Sequence, residues 1–321
     1  MESKISPTVE GGLLTAITVI LGLASTFLPV IGLFLEFFCA VPIVILTVRQ
    51  GTKKGFLALI ASFLILTMFI GPLLSMRIAL SFGICGLTLG YCVKKNFSTI
   101  KCFLVTFSTA IIAQVIAIAI LTFAMGINLM ETEIASVRES FEEVFKMYES
   151  AGIPQQEIEQ IKAQVEPALK TLSYLMPLIL TLLALVNSAI CYVTSGWIFK
   201  KLRMKFIEPL PNFAAWRFPK IFLYIAAFAS IGLYWGGTRD WDLIYTISIN
   251  AAYITGIVFL IQGFSVLSAI ADIYNVSTFW RRVFFILIIF NKLLITVVTV
   301  TGFMDMIFDF RKSGKSGESE D

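Results

Sequence analysis

The chain contains no histidine, and only 14% of its 321 residues are charged. A soluble domain of similar length usually carries about 25% charged residues. The absence of histidine excludes the commonest general base, the commonest metal ligand and every Ser-His or Cys-His nucleophile pair. The sequence also lacks a G-x-x-x-x-G-K-[ST] phosphate-binding loop. We therefore expect a protein that is not an enzyme, holds no cofactor or metal, and does not hydrolyse ATP itself.

Cysteine is scarce, and no two cysteines form a C-x-x-C pair. All of them lie within or at the edge of apolar runs, which is typical of reduced thiols in a membrane core. A disulfide or metal-binding role is the alternative. The five residues are Cys39, Cys85, Cys92, Cys102 and Cys191.

Long apolar runs dominate what remains: 58% of the residues are hydrophobic and the mean hydropathy is +0.88. A spanning helix needs about 20 apolar residues. The runs predict an all-α fold, a polytopic transmembrane helical bundle of eight to nine spans. A tight turn near 29–32 separates the first two spans, because the combined run is too long for one crossing. The nine candidate spans are 12–29, 31–48, 55–71, 74–92, 100–125, 172–199, 219–236, 246–271 and 282–305.

Positive charge alternates between the loops and predicts the topology. Basic residues cluster at 49–54, 94–101, 200–220 and 281–282, which places these loops and the N-terminus in the cytoplasm. The first apolar run is expected to be a retained helix. The net charge of +4 thus reflects topology, and no nucleic-acid binding is expected. With nine spans the C-terminus lies outside, which conflicts with the basic residues at 311–315.

Residues 126–170 form a polar insert with nine glutamates and four basic residues. Apolar residues recur at helical spacing on both sides of a break at Gly152-Ile153-Pro154, which predicts an external amphipathic helical hairpin. Its arms pack on each other and on the membrane domain, or they form a lid or a docking surface for an external partner. The tail 313–321 is rich in Gly, Ser and acidic residues and is expected to be disordered.

The N-terminal spans resemble the substrate-binding S subunits of energy-coupling-factor transporters. The resemblance rests on Pro42-Ile43-Val44-Ile45-Leu46, on Gly51-Thr52-Lys53-Lys54-Gly55-Phe56-Leu57-Ala58-Leu59 and on Gly71-Pro72. It implies a six-span core made of 1–125 and 171–200. It also implies a ligand near the outer face, contacted mainly by the later helices of the six.

A second resemblance covers nearly the whole chain and is to the YybS-like, or DUF2232, family of bacterial membrane proteins. It rests on Trp216-Arg217-Phe218-Pro219-Lys220, on Asn250 and Gln262-Gly263, and on Gly302-Phe303-Met304-Asp305 followed by Phe308-Asp309-Phe310-Arg311-Lys312. The resemblance implies a bacterial inner-membrane protein in which 201–312 form a three-span extension, and it implies little chemistry.

Polar residues inside the apolar runs are candidate ligand-binding residues, because ionisable groups are costly there. Glu36 and Arg77 lie at similar depth and either pair with each other or face an external cavity. Gln114 and Asn187 either join helices by hydrogen bonds or contact a ligand. The S-subunit resemblance adds Asn128 to this candidate site.

Two further features have open alternatives. Gly12 and Ala16 form a small-residue face that either packs within the bundle or, as the S-subunit resemblance implies, meets a coupling subunit. Lys292, after Asn291, lies near the middle of the last span or extends to the interface.

Two classes of function follow. The first is a transporter-like component that binds a small molecule and depends on a coupling subunit for energy. The second is a scaffolding protein of cell-envelope assembly, similar to MreD-like proteins, with the insert as the partner site. A polar cavity at Arg77, Gln114 and Asn187 favours the first, and a filled bundle favours the second.

Overall fold

The computed structural model describes residues 6–126, 128–205, 211–239 and 241–309. These residues form α-helices, one π-helical segment (Ala79–Gly83) and one 3-10 turn (Phe213–Ala215), and no strand occurs among them. The predicted all-α membrane fold is confirmed. The helices are α1 Pro7–Phe27, α2 Ile31–Glu36, α3 Val41–Gln50, α4 Thr52–Ile78, α5 Ile84–Lys94, α6 Thr99–Met125, α7 Leu129–Ser150, α8 Gln155–Lys201, α9 Ile221–Thr238, α10 Asp242–Ile273, α11 Thr278–Phe290 and α12 Lys292–Phe308.

The chain divides into two compact units. Unit 1 comprises Met1–Leu169 and Ile179–Pro209, and unit 2 comprises Lys170–Leu178 and Leu210–Asp321. The boundary between the six-span core and the C-terminal extension was expected at residue 201. In the structure a short part of α8 also belongs to unit 2. The predicted tail at 313–321 lies outside the described residues.

Six helices in the described part of the chain are long and apolar enough to cross a membrane, or seven if α11 and α12 count together. The predicted eight to nine spans are not confirmed. The count differs first at 31–48, where the structure has α2 and α3, of six and ten residues. Ten residues rise only about 15 Å, half of the hydrocarbon core. The expected turn is present, because α1 ends at Phe27 and α2 begins at Ile31.

The count differs again at 55–92, where two predicted spans form one helical run interrupted at Gly71. Gly71 has φ +78°, a conformation that L side chains avoid and that glycine tolerates. Pro72 follows and disfavours a helical conformation at the residue before it. The Ser75 hydroxyl donates to the Gly71 carbonyl over 2.8 Å and lies 2.7 Å from the Thr67 hydroxyl, so it bridges the two sides of the kink.

The basic turns of unit 1 gather at one end. A Cβ at Gly51 would lie 3.2 Å from the Lys94 ammonium, so the α3–α4 turn lies beside the end of α5. Val48 and Phe199 belong to the same apolar cluster, which brings the end of α8 to this side as well. Over its 27 residues α6 leads away from this end by about 40 Å. The insert after α6 therefore begins at the opposite end of unit 1.

The insert forms the predicted two helices. α7 ends at Ser150, α8 begins at Gln155, and the chain turns through Gly152, which has φ +78°. Phe145 on α7 and Ile158 on α8 are buried. Arg138 also forms an ion pair with Glu166 across the two helices, with Nη1 2.7 Å from Oε1. We call α7 together with 155–169 the arm. The second helix of the arm does not end near 170 as expected but continues through α8 for 47 residues.

In unit 2, α10 lies between two partners, α9 and α12. It runs antiparallel to α12, and the two backbones touch at paired glycines. A Cβ at Gly302 would overlap the Phe259 carbonyl oxygen, and a Cβ at Gly263 would overlap the Val298 carbonyl oxygen. Small residues allow this close approach, on which helix association in membranes depends.

Candidate functional site

The structure brings Glu36 and Arg77 together. Glu36 is the last residue of α2, and Arg77 lies in the part of α4 that follows the kink at Gly71. Glu36 Oε1 lies 2.8 Å from Arg77 Nη1, although the contact lacks hydrogen-bond geometry. The Arg77 side chain is 55% exposed, whereas that of Glu36 is 11% exposed. The pair therefore compensates a buried carboxylate with a cation that reaches the surface.

Unit 1 contains a small cavity that neither Glu36 nor Arg77 lines. It has a volume of about 10 Å³ and is lined by Cys39, Ile78 and Phe82 among others. A cavity needs roughly 10–15 Å³ to hold one water molecule. This cavity thus accommodates a single water at most.

The other predicted ligand-binding residues do not join the pair. Among the described residues, no hydrogen bond or ion pair links Gln114, Asn128 or Asn187 to Glu36 or Arg77. Gln114 is partly buried in α6, and its Oε1 has no donor in the described part of the chain. Asn187 is partly buried in α8. Asn128 caps α7, since its Oδ1 accepts from Glu131 N over 3.4 Å.

The small-residue face of α1 is exposed. Gly12 and Ala16 are both exposed, and a Cβ at Gly12 would meet no atom within 4 Å. The face thus makes no close contact within unit 1, and its contact with a coupling subunit stays a prediction. Gly22 faces the bundle instead, where a Cβ would lie 3.0 Å from Leu66.

Lys292 does not lie in the middle of a straight span. The structure breaks the predicted segment at Asn291, and α11 and α12 meet there at 107°. Asn291 caps α12, because its Oδ1 accepts from Leu293 N over 3.0 Å and from Leu294 N over 3.2 Å. Lys292 is the first residue of α12 and is exposed.

Unit 2 contains a polar network that the sequence did not predict. Gln262 Nε2 donates to Asp305 Oδ2 over 2.6 Å, and Gln262 Oε1 accepts from Phe218 N over 3.1 Å. Both side chains are at least 96% buried, with exposed fractions of 2% and 4%. Arg217 lies 2.8 Å from Asp309 at the end of α12. The network fastens the segment before α9 to α10 and α12.

Asn250 of α10 forms hydrogen bonds with the backbone of α8 beside Pro177. Pro177 has no backbone N–H and so removes one helical donor. Asn250 Oδ1 accepts from Leu178 N over 2.8 Å, and its Nδ2 donates to the Tyr174 carbonyl over 2.6 Å. The amide is thus inserted between two groups that bond directly in a regular helix. Asn250 is 8% exposed, so few alternative partners are available.

The residues of this network had a sequence signal. Asn250, Gln262, Arg217, Asp305 and Asp309 all belong to the motifs that carry the DUF2232 resemblance. Their types, amides and carboxylates in apolar runs, are those that join helices in a membrane. Their partners were not apparent, because the contacts connect residues 43 to 92 positions apart.

The described residues show no metal centre. They contain no group of three or more His, Cys, Asp or Glu side chains that could hold an ion. All five cysteines are free thiols and are buried. Each belongs to the packed interior of unit 1.

Comparisons with known proteins support the resemblance to the DUF2232 family. The family model described as "Predicted membrane protein (DUF2232)" matches residues 16–306. YybS of Bacillus subtilis (strain 168) is 24% identical over 316 residues, which cover 95% of this chain and 97% of YybS. No solved structure matches the chain. The resemblance to S subunits therefore stays a prediction.

Proposed function

Because the chain belongs to the DUF2232 family of predicted membrane proteins, we propose that it is a membrane scaffold whose arm binds a protein of the cell envelope. The observation that carries the proposal is the length of α8, which is helical over 47 residues. At 1.5 Å per residue it is about 70 Å long, more than twice the hydrocarbon core of a bilayer. One helix thus connects the membrane part of unit 1 with the arm.

The arm has the surface of a docking element. Phe141, Val144 and Met147 are exposed on α7, with 38%, 37% and 69% of their area accessible. Between these apolar positions lie exposed glutamates, including Glu142 and Glu143. The segment carries nine glutamates and four basic residues, so a partner with a basic surface suits it.

The position of the arm supports an external partner. The arm begins at the end of unit 1 opposite the basic turns at 49–54 and 94–101. Basic turns are enriched on the cytoplasmic side of bacterial membranes. We therefore place the protein in the bacterial inner membrane with the N-terminus inside and the arm outside.

The alternative function, a transporter-like component that captures a small molecule, has weaker support. It requires a polar cavity at Arg77, Gln114 and Asn187. Glu36 lies 2.8 Å from Arg77, so the pair accounts for both charges without a ligand. Charges that compensate each other within the bundle favour scaffolding.

Site-specific photo-crosslinking in living cells tests the proposal. A photoreactive phenylalanine analogue is placed at Phe141 or Met147 of the arm, and at Phe123 of α6 as a control. Phe123 is 89% exposed on an apolar span and serves as a lipid-facing position. We expect discrete protein adducts from the arm positions only. They should weaken when Glu142 and Glu143 are both replaced by lysine.

Two results would contradict the scaffold function. One is the absence of any protein adduct from the arm when the protein is correctly inserted. The other is a small molecule retained at a fixed stoichiometry in native mass spectrometry and lost in Arg77→Ala. The second result would favour the transporter-like alternative.

A further inference from the structure

The turn between α9 and α10 closes one end of an apolar helical pair in unit 2. α9 ends at Thr238 and α10 begins at Asp242. The two backbones touch here, because a Cβ at Gly236 would lie 2.8 Å from Tyr245 N. Trp241 N also donates to the Gly236 carbonyl over 3.1 Å. The turn is therefore a compact element from which its side chains project in defined directions.

Arg239 is a cation of this turn. Its guanidinium carbon lies 4.1 Å from the centre of the Trp235 ring and 5.2 Å from the centre of a Trp241 ring. Contacts of this length are cation–π interactions, which attract the charge without neutralising it. Arg239 is exposed and forms no ion pair among the residues that the structure describes. Stacking orients the planar guanidinium and leaves its N–H edge for an acceptor.

The nearest described carboxylate in the sequence is bonded to a different side chain. Asp242 Oδ1 accepts a hydrogen bond from the Tyr174 hydroxyl over 2.9 Å. A second cation lies beside that pair, since Lys170 Nζ is 6.0 Å from the centre of the Tyr174 ring. Residue 240 lies outside the described residues. Within the described part of the turn, the Arg239 charge is thus held by aromatic rings and not by an anion.

The exposed side chains of both helices change in character at this turn. Away from the turn, Phe228 and Ile231 of α9 and Ile247 of α10 are 76%, 59% and 58% exposed. Large exposed apolar side chains of this kind mark a surface that contacts acyl chains. At the turn, Trp235 and Trp241 are 42% and 45% exposed. Because tryptophan concentrates at the level of lipid headgroups, the turn matches the level of the phosphates of one leaflet.

We propose that Arg239, oriented by Trp235 and Trp241, binds the phosphate of one phospholipid. The N–H edge of the guanidinium donates to two phosphate oxygens, a geometry that arginine favours. The acyl chains follow the exposed apolar side chains of α9, so the occupant is a lipid and not free phosphate. Zwitterionic and anionic phospholipids share this phosphodiester, so the site does not select between their headgroups. The proposal does not depend on the function of the arm.

Native mass spectrometry of the detergent-solubilised full chain tests the site with three lipids of identical acyl chains. Phosphatidylcholine and phosphatidylglycerol contain the phosphate, whereas a glucosyl diacylglycerol lacks it. We expect the two phospholipids to be retained equally and the glycolipid about two- to fivefold less, because an exposed ion pair contributes up to about 1 kcal/mol, or about fivefold in affinity. Equal retention of all three lipids would overturn the proposal.

Two variants separate this site from a diffuse attraction. Arg239→Gln removes the charge and should lower the retention of both phospholipids to that of the glycolipid. Lys292→Gln is the control, because Lys292 is another exposed cation of unit 2. If Lys292→Gln loses phospholipid as Arg239→Gln does, the attraction is diffuse and the site is wrong. Size-exclusion profiles identical to wild type establish that each variant is folded.

Tryptophan fluorescence in reconstituted vesicles tests the level of the site. In a variant that keeps only Trp241 of the five tryptophans, phospholipids brominated close to the glycerol should quench the emission more than phospholipids brominated at the chain ends. Phe228→Trp in a chain without other tryptophans is the control and should show the opposite order. Stronger quenching of Trp241 by chain-end bromine would contradict the proposal. Release of bound lipid by millimolar inorganic phosphate would also contradict it, because the site would then recognise a free anion.

Discussion

Units 1 and 2 both bury polar side chains among apolar helices, but they compensate them differently. In unit 1, the buried carboxylate of Glu36 has a half-exposed arginine as its partner. In unit 2, the amides of Asn250 and Gln262 bond to backbone groups and to a carboxylate, all inside the helix packing. An unsatisfied backbone group is costly in an apolar environment, whereas a charge that reaches the surface is partly screened. The comparison predicts that polar substitutions in unit 2 cost more stability than those in unit 1.

The largest effect is expected for Asn250→Leu. The substitution leaves Leu178 N and the Tyr174 carbonyl without their partner beside Pro177, and each unsatisfied group costs about 1–3 kcal/mol. We expect a loss of roughly 2–6 kcal/mol, measured as a fall in the thermal midpoint of the detergent-solubilised protein. Asn187→Leu is the matched control, because Asn187 is a partly buried amide of the same α8. Equal losses in both variants would refute the bridging role of Asn250.

Gly302→Ala should have the next largest effect. The new Cβ overlaps the Phe259 carbonyl oxygen and forces α10 and α12 apart, at a cost of about 1–3 kcal/mol for overpacking. Gly256→Ala is the control in α10, where a Cβ meets no atom within 4 Å. This control should be neutral or stabilise the helix by up to about 1 kcal/mol. The thermal midpoints of the two variants are compared in the same detergent. A Gly302→Ala variant as stable as the wild type would exclude the close approach of α10 and α12.

For unit 1, Arg77→Gln should cost less, about 1–2 kcal/mol. It leaves Glu36 buried without its cation, but the exposure of the Arg77 side chain reduces the penalty below the usual 3–5 kcal/mol for a buried pair. The double variant Glu36→Gln/Arg77→Gln should recover most of the loss, because neither charge is then unpaired. A double-mutant cycle of unfolding free energies measures this coupling. Additive losses would show that the two side chains act independently.

The smallest effect is expected in the arm. Arg138 and Glu166 are both more than half exposed, and surface pairs of this kind contribute about 0.2–1 kcal/mol. Glu166→Gln should therefore increase hydrogen exchange of the arm slightly and leave the thermal midpoint of the protein unchanged. Phe145→Ala, which removes a buried side chain between the two helices, should increase exchange much more. Equal exchange in the two variants would mean that the arm is not held by its apolar contact.

The sequence predicted the elements that follow from composition and local pattern. The all-α membrane class, the two helices of the arm and the turn near Pro29 all rest on apolar periodicity and on Gly and Pro positions. The number of spans was not predictable in the same way. Hydropathy does not distinguish an unbroken crossing from α2 and α3, or from the bend at Asn291, because the apolar run continues on both sides of each interruption.

The candidate site also has features that the sequence predicts and features that it does not. The charges of Glu36 and Arg77 and the cost of burying them could be read from the chain, and the structure pairs them. Their proximity to Gln114 or Asn187 depended on helix packing, and the structure shows no bond that joins them. The motifs of unit 2 were visible as residues, but Asn250 and Gln262 acquire their roles only through partners far away in the sequence.

The sequence by itself determined that this chain enters a membrane, because the free energy of transfer depends on residue type and is additive along the chain. It also determined where the arm turns, since Gly152 and Pro154 act on their own backbone conformation. Only the tertiary structure decided which polar groups satisfy one another and whether a cavity remains between the helices. Those outcomes depend on helix crossing and on close contacts such as Gly302 with Phe259, which no local pattern specifies.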